Sequence, residues 1–247
     1  MPESAIPRYQ FVDCRWDLAD PAAGRAEYLA GHIPGASFLD VDADLSDLSI
    51  PDAGRHPLPS AERFAAAAGR AGIGGGVFVV AYGTMGGAER LWWLLRHFGH
   101  DDCAVLLGGI DAWGGPLRPG NEEVEPATFV PRERDDDVID APALVRRLAD
   151  PSLVLVDART EDRWRGEPNP IDRPPGRIPG ARNAPWPDAL PQLPEGDLVA
   201  YCGSGVTSCV VLHRAALGGR DGKLYPGSWS EWSTRGLPIE RGEGHRH

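Results

Sequence analysis

Short apolar runs alternate with longer amphipathic stretches along the chain. The runs are rich in β-branched and aliphatic residues and are bounded by glycine or proline, which is typical of strands buried on both faces. They occupy residues 11–13, 77–81, 104–107, 153–156, 198–201 and 223–225. Apolar positions at helical spacing predict helices over residues 61–69, 88–98, 142–149 and 207–217. Strands that alternate with helices predict an α/β fold built on parallel sheets flanked by helices.

Blocks of similar sequence occur twice and in the same order, which indicates a duplicated domain. Residues 11–15, 32–36, 79–83 and 108–113 correspond to residues 155–159, 177–181, 198–202 and 227–232. The first copy carries an insertion between Ala36 and Val79, and a stretch rich in proline, glycine and acids separates the copies. We therefore expect a first domain over 1–118, a linker over 119–137 and a second domain over 138–247.

Composition and charge narrow the class of protein. A content of 42% hydrophobic and 25% charged residues is that of a globular protein, and a net charge of −11 argues against nucleic-acid binding. The four cysteines form no C-x2-C pair, so neither a zinc site nor a disulfide framework is indicated. No signal peptide is visible, and no apolar run reaches the ~18–20 residues of a membrane span. We expect a cytoplasmic protein without a metal ion, a nucleic-acid partner or a membrane partner.

The candidate chemistry lies in one loop, between a predicted strand and a predicted helix. Its sequence is Tyr201-Cys202-Gly203-Ser204-Gly205-Val206-Thr207-Ser208. Ligands bind beyond the carboxyl ends of parallel strands. The two glycines allow backbone N–H groups to turn inward, and the helix N-terminus adds positive partial charge. Such settings lower a thiol pKa from ~8.5 to roughly 3.5–7.5, so Cys202 is predicted to be a nucleophilic thiolate.

Other interpretations of this loop can be compared with its sequence. Cys202 would be inert if it were only a small buried side chain at a strand end. The first copy has Gly83 at the equivalent position, so the same loop exists with and without a thiol, which favours catalysis. A serine-hydrolase elbow needs glycine where Cys202 stands. A C-x5-R phosphatase needs arginine in place of Ser208, and a P-loop needs a lysine that the loop lacks.

The motif Cys202-Gly203-Ser204-Gly205-Val206-Thr207 resembles the active loop of the 3-mercaptopyruvate sulfurtransferases in the rhodanese superfamily. The resemblance extends over nearly the whole chain, including the His-Ile-Pro-Gly-Ala block at 32–36, the Arg-x-Arg-Gly-Glu-Pro run at 163–168 and the Gly-Ser-Trp-Ser-Glu-Trp block at 227–232. It implies two tandem rhodanese-like domains, of which only the second carries the nucleophile. It also implies a persulfide on Cys202 as a covalent intermediate, and no cofactor.

The resemblance further implies which residues bind the donor. A carboxylate-binding arginine of the family maps onto Arg163, and a second falls near Ile171, where this chain has none and Arg173 is a possible substitute. The expected substrate-binding set is Arg163, Arg173, Gly203, Gly205, Val206 and Thr207. A solvated, salt-bridged loop is the alternative interpretation of the arginine-rich segment 157–182. Within it, we expect Arg159 to pair with Asp157 or with the backbone, in a structural role.

Three further residues complete the expected catalytic set. The resemblance places Asp42 and His56 of the insertion near Ser204, so that His56 acts through Ser204 and Asp42 holds the histidine tautomer. The alternative is that His56 is a surface histidine. Cys209 is expected to be buried, with a role as a redox-sensing thiol as the alternative.

These observations predict a sulfurtransferase that moves a sulfane sulfur from a small anionic donor, through a Cys202 persulfide, to cyanide or to a thiol of a thioredoxin-like protein or a small molecule. The preferred donor is 3-mercaptopyruvate, because the chain carries no charged residue between Tyr201 and Leu212. Thiosulfate is the alternative donor. A further alternative is a non-catalytic sulfur-carrier module that is loaded once and does not turn over.

Overall fold

The computed structural model describes residues 8–242, which divide into two units. The first unit comprises residues 8–46 and 59–134, and the second comprises residues 47–58 and 135–242. The segment 47–58 therefore groups with the second unit, although it lies in the first half of the sequence. Residues 1–7, which belong to the N-terminal stretch without a visible signal peptide, lie outside the described part of the chain.

The first unit is built on a four-stranded sheet in the order β2-β1-β3-β4, with all neighbours parallel. The strands are β1 (Arg8–Cys14), β2 (Ser37–Phe38), β3 (Val77–Gly83) and β4 (Cys103–Val105). The helices are α1 (Ala23–Ala30), α2 (Ala61–Arg70) and α3 (Gly87–His97), followed by a 3-10 turn over Gly109–Ala112.

The second unit repeats this arrangement, with the order β6-β5-β7-β8 and again parallel pairing. Its strands are β5 (Leu153–Asp157), β6 (Arg182–Asn183), β7 (Asp197–Tyr201) and β8 (Lys223–Leu224). Its helices are α4 (Ala141–Arg147), α5 (Glu161–Arg165), α6 (Ser208–Leu217) and α7 (Ser228–Trp232). The prediction of an α/β fold with two parallel sheets is confirmed.

All of the strands and helices predicted from the sequence are present, with ends that differ by a few residues. The structure adds β2 and β6, which contain two residues each, and the helices α1, α5 and α7. The additional strands have no sequence signature because two residues are too few for an alternating pattern to appear. Helices of five residues, such as α5 and α7, likewise span little more than one turn.

The topology determines where a site can form in the second unit. The chain passes from β5 to β6 on one side and then returns to β7 on the other, so the strand order reverses beside β5. In open parallel sheets, ligands bind in the crevice at such a reversal, beyond the carboxyl ends of the strands. Cys202 directly follows β7 and therefore lies at this reversal.

A buried ion pair closes the end of the central strand in each unit. Arg15 Nη2 lies 2.6 Å from Asp13 Oδ2, and Arg159 Nη2 lies 2.6 Å from Asp157 Oδ2. The predicted pairing of Arg159 with Asp157 is confirmed, and both side chains are fully buried. Burial would lower the pKa of Arg159, but the neighbouring Asp157 carboxylate outweighs this effect, and the pKa is raised.

Residues 8–242 contain no helix that is long and apolar enough to cross a membrane. Among the same residues, no three His, Cys, Asp or Glu side chains are grouped in a way that would hold a metal ion.

Candidate active site

The loop after β7 wraps around the sulfur of Cys202. This side chain is 2% exposed, and the backbone N–H of Gly205 donates a hydrogen bond to its Sγ at 3.1 Å. Gly205 has a φ of +82°, and a Cβ there would lie 2.6 Å from the carbonyl oxygen of Pro226. A residue with a side chain would thus be both strained and in collision. The glycine is therefore what allows this N–H to face the sulfur.

The local hydrogen bonds favour the thiolate form of Cys202. Burial by itself raises the pKa of this thiol, but hydrogen bonds from the Thr207 hydroxyl and from the backbone N–H groups of Ser204 and Ser208 outweigh it. The net result is a pKa below the usual value, in the direction that the loop sequence predicts. The start of α6 lies directly behind the loop and supplies part of this donor set.

The Gly-Ser-Trp block at 227–229 holds the loop in place. The Cys202 N–H donates to Ser228 Oγ at 3.1 Å, and the Trp229 N–H donates to the Cys202 carbonyl at 3.0 Å. The Ser230 N–H donates to the Gly203 carbonyl, also at 3.0 Å. From the sequence this block is a repeated motif without an assigned role. In the structure it fixes the backbone of Cys202 and Gly203.

His56 and Ser204, which the sequence places 148 positions apart, are in direct contact. The Nδ1 atom of His56 and the Oγ atom of Ser204 share a hydrogen bond of 2.7 Å, and both residues are buried. The contact is possible because the segment 47–58 packs within the second unit. The alternative of a surface histidine is therefore wrong. Asp42 is half-buried in the first unit, and its predicted role stays a prediction.

Arg163 is positioned by an acidic residue that sequence analysis did not single out. Its Nε and Nη2 atoms donate to the two carboxylate oxygens of Asp172 at 2.7 and 2.8 Å. The Asp172 side chain is fully buried and also accepts a hydrogen bond from Arg159. Burial would raise the pKa of Asp172, but the hydrogen bond from Arg163 and the neighbouring arginine charges lower it. Arg173 is exposed.

A second arginine lies against the loop, and sequence analysis missed it. A Cβ at Gly203 would lie 2.6 Å from Nη2 of Arg55 and 2.8 Å from Nη2 of Arg163. The absence of a side chain at Gly203 thus lets both guanidinium groups approach the backbone beside Cys202. The Arg55 N–H also donates to Ser230 Oγ at 3.0 Å. The one sequence feature that could have identified Arg55 is its position next to His56.

These groups together can perform nucleophilic chemistry on an anionic molecule. A buried thiol with a lowered pKa supplies the nucleophile, and two guanidinium groups beside it suit a carboxylate or another oxyanion. A histidine–serine pair within hydrogen-bonding distance can carry a proton to or from the bound molecule.

Comparisons with known proteins agree with this assembly. The family model "Rhodanese-like domain" matches residues 3–115 and 140–235. A probable 3-mercaptopyruvate sulfurtransferase of Pseudomonas aeruginosa is 40% identical over 256 residues, which cover 92% of this chain and 90% of that protein. The putative thiosulfate sulfurtransferase SseB of Mycobacterium tuberculosis is 37% identical over 259 residues, covering 94% and 90%. The crystal structure of SseA from Escherichia coli, a 3-mercaptopyruvate sulfotransferase, superposes with a TM-score of 0.76 at 31% identity and covers 90% of this chain and 93% of that one.

The chain belongs to the rhodanese family and is a sulfurtransferase with two rhodanese-like domains. The resemblance drawn from the active-loop motif is thereby confirmed.

Proposed function

We propose that this enzyme takes a sulfane sulfur from 3-mercaptopyruvate and passes it to an acceptor through a persulfide on Cys202. The observation that carries the proposal is the surroundings of the Cys202 sulfur, which accepts the Gly205 N–H at 3.1 Å and has a lowered pKa despite its burial. A thiol in these surroundings is ionised more readily than a free cysteine and is a stronger nucleophile at neutral pH.

In the first half-reaction, the Cys202 thiolate attacks the sulfur of the donor. A sulfur–sulfur bond forms, the carbon–sulfur bond of 3-mercaptopyruvate breaks, and its electron pair stays with carbon as the enolate of pyruvate. The proton of the donor thiol ends on this carbon, so the products are pyruvate and a Cys202 persulfide anion. Ser204 is placed to relay this proton, because its hydroxyl is 2.7 Å from His56 Nδ1.

In the second half-reaction, the acceptor attacks the outer sulfur of the persulfide. Cyanide would leave as thiocyanate, and a thiolate would leave as a new persulfide, while the electron pair of the broken sulfur–sulfur bond returns to Cys202. The inward N–H groups of Gly205 and its neighbours can stabilise charge on either sulfur. We propose a thioredoxin-like protein or a small thiol as the physiological acceptor.

The remaining predicted residues have binding roles in this proposal. Arg163 would bind the donor carboxylate with the N–H groups that Asp172 leaves unused. Gly203, Gly205, Val206 and Thr207 would supply the backbone and hydroxyl donors of the loop. Arg173 stays a candidate of the sequence resemblance, in an exposed position.

The choice of donor follows from charge and from the proton relay. The loop contains no charged side chain, and a thiosulfate dianion would have less cationic compensation there than a monoanion. The His56–Ser204 pair also has a proton to move when the donor is a thiol, whereas thiosulfate brings none. Thiosulfate is the second candidate donor, favoured by the relative in Mycobacterium tuberculosis named for that substrate.

We also propose that the protein works in the cytoplasm. All four cysteines are free, and the persulfide cycle needs Cys202 in its reduced form between turnovers.

Steady-state kinetics with both donors tests this function. We expect pyruvate and thiocyanate to form from 3-mercaptopyruvate and cyanide, with kcat/KM about tenfold or more above that for thiosulfate, since each tenfold step needs only ~1.4 kcal/mol of transition-state stabilisation. A higher kcat/KM for thiosulfate would reverse the choice of donor. Stoichiometric loading with no turnover would favour the sulfur-carrier alternative.

A further inference from the structure

Arg55 has a guanidinium group with no partner in the described part of the chain. Between residues 8 and 242, this group forms no ion pair and no hydrogen bond, and its Nε atom is enclosed without an acceptor. Buried nitrogen atoms of this kind normally find a partner, because an unsatisfied donor costs free energy. A bound anion would supply the acceptor that the Arg55 guanidinium lacks.

The group is placed where an anionic donor would have to lie. Its Nη2 approaches the backbone of Gly203, the residue next to the nucleophile, to within 2.6 Å of a Cβ built there. Burial lowers the pKa of Arg55, and the charges of Asp172 and of the Cys202 thiolate partly oppose this effect. The backbone that this guanidinium approaches belongs to the residue directly after Cys202.

Unlike Arg55, the neighbouring Arg159 and Arg163 are paired with buried carboxylates. Arg159 is paired with Asp157, and the fork of Arg163 is held by Asp172. The two arginine charges and the two carboxylate charges cancel. Arg55 therefore carries a positive charge that no carboxylate of residues 8–242 pairs with, and its planar guanidinium suits the carboxylate of a donor.

We infer that Arg55 binds the carboxylate of the sulfur donor and is the principal cation that anchors it, ahead of Arg173. This inference rests on the proposed function, since it names a residue that recognises the proposed donor. An arginine fork can bind both oxygens of a carboxylate, and Arg163, whose Nη2 lies 2.8 Å from a Cβ built at Gly203, adds a further donor.

The test is the KM for 3-mercaptopyruvate, together with the Kd of pyruvate for the sulfur-free enzyme, in Arg55→Gln, Arg55→Lys and Arg173→Gln. We expect Arg55→Gln to raise both KM and this Kd by about 10- to 100-fold, the usual loss for a charged hydrogen bond, with a smaller change in kcat. Arg55→Lys should recover part of the loss, because it restores the charge without the fork. Arg146→Gln, an exposed change on α4, is the matched control and should leave both constants unchanged.

The outcomes separate the two proposals. A wild-type enzyme that releases no pyruvate from 3-mercaptopyruvate would overturn the proposed function. A wild-type enzyme that turns over normally, with KM unchanged in Arg55→Gln, would overturn the role of Arg55 alone. A rise in KM with Arg173→Gln and none with Arg55→Gln would assign the anchor to Arg173. Circular dichroism and the Tm of each variant identify any loss that comes from unfolding.

Discussion

The two units have the same framework, yet only one of them has the surroundings of a reactive thiol. In each, the arginine of the buried pair donates to a carbonyl, from Arg15 to Gly31 at 2.8 Å and from Arg159 to Gly176 at 2.7 Å. In each, a tyrosine at the same sheet register accepts a backbone N–H. The pairs are Ile33 with Tyr82 at 3.2 Å and Ile178 with Tyr201 at 3.1 Å.

The difference lies in the loop that follows the tyrosine. In the first unit, Gly83 stands where the second has Cys202, and the Thr84 hydroxyl is bonded to the backbone N–H and carbonyl of Trp16, at 3.0 and 2.8 Å. A Cβ at Gly83 would lie 2.6 Å from the Cys14 carbonyl oxygen. The first loop is thus closed onto its own unit, whereas the second turns its donors toward a sulfur. The shared ion pair and tyrosine can therefore be present in this fold without the loop that surrounds a reactive thiol.

The cysteines show the same contrast. Burial and the nearby carboxylates, Asp13 foremost, raise the pKa of Cys14 well above its usual value. Burial raises the pKa of Cys103 to about 12. At Cys202, hydrogen-bond donors surround the sulfur and the pKa falls despite burial. Burial thus favours the protonated thiol at Cys14 and Cys103, whereas the donors of the loop favour the thiolate at Cys202.

The largest effect is expected from Cys202→Ser. The serine hydroxyl is a far weaker nucleophile than a thiolate, so kcat should fall by at least about a thousandfold with either donor. Cys103→Ser, in the first unit, is the control and should retain wild-type kcat. Loss of activity in the Cys103 variant, with Cys202→Ser still active, would mean that the two units had been assigned the wrong roles.

Next in size is the effect of breaking the shared framework. Arg159→Met leaves two buried carboxylates without their partner and should lower the free energy of unfolding by about 3–5 kcal/mol. Arg15→Met should cost less, because Arg15 is slightly exposed and contacts a single buried carboxylate. Urea unfolding followed by circular dichroism measures both. A larger loss of unfolding free energy for Arg15→Met would show that burial does not determine which of the two ion pairs stabilises the protein more.

A smaller effect, specific to one donor, is expected from Ser204→Ala. Removing the proton relay should slow kcat with 3-mercaptopyruvate by about a hundredfold, the lower range for general acid–base groups, and leave thiosulfate turnover much less affected. His56→Gln should behave alike, and the double variant should be no slower than either single one. Equal losses with both donors would show that the pair does not act on the donor's proton.

The mildest test follows the pH dependence of alkylation by iodoacetamide. The alkylation rate follows the thiolate fraction, which falls about tenfold per pH unit below the pKa. Because the pKa of Cys202 is lowered, its rate should persist as the pH falls from 9 toward 7. Cys103, with a raised pKa, should stay unreactive over this range. A Cys202 rate that falls along with that of a free thiol would remove the claim of acidification.

Much of this organisation could be predicted from the sequence because it depends on local patterns. The buried strands, the flanking helices, the repeat and the loop around Cys202 each leave a signature within a few residues. The pairing of Arg159 with Asp157 was likewise accessible, because the two side chains point from the same end of one strand. Such features depend on neighbours along the chain and on the periodicity of secondary structure.

The rest depends on contacts between distant segments. The charged stretch containing Asp172 has the composition of a solvated loop, yet this side chain is buried between two arginines. Arg55 reaches Gly203 only because the segment 47–58 packs within the second unit. Ser228 adopts a φ of +52°, and its use as an acceptor for the Cys202 N–H has no local signature. The hydrophobic pattern of an insertion does not indicate which part of the protein it will pack against.

The most direct measurement locates the transferred sulfur. The protein is incubated with 3-mercaptopyruvate in the absence of an acceptor, digested without reduction, and analysed by peptide mass spectrometry. We predict one additional sulfur atom on the peptide that contains Cys202, removed by cyanide as thiocyanate. A Cys202 peptide that stays unmodified while the enzyme turns over, or a persulfide on Cys14 instead, would contradict the assignment of the nucleophile.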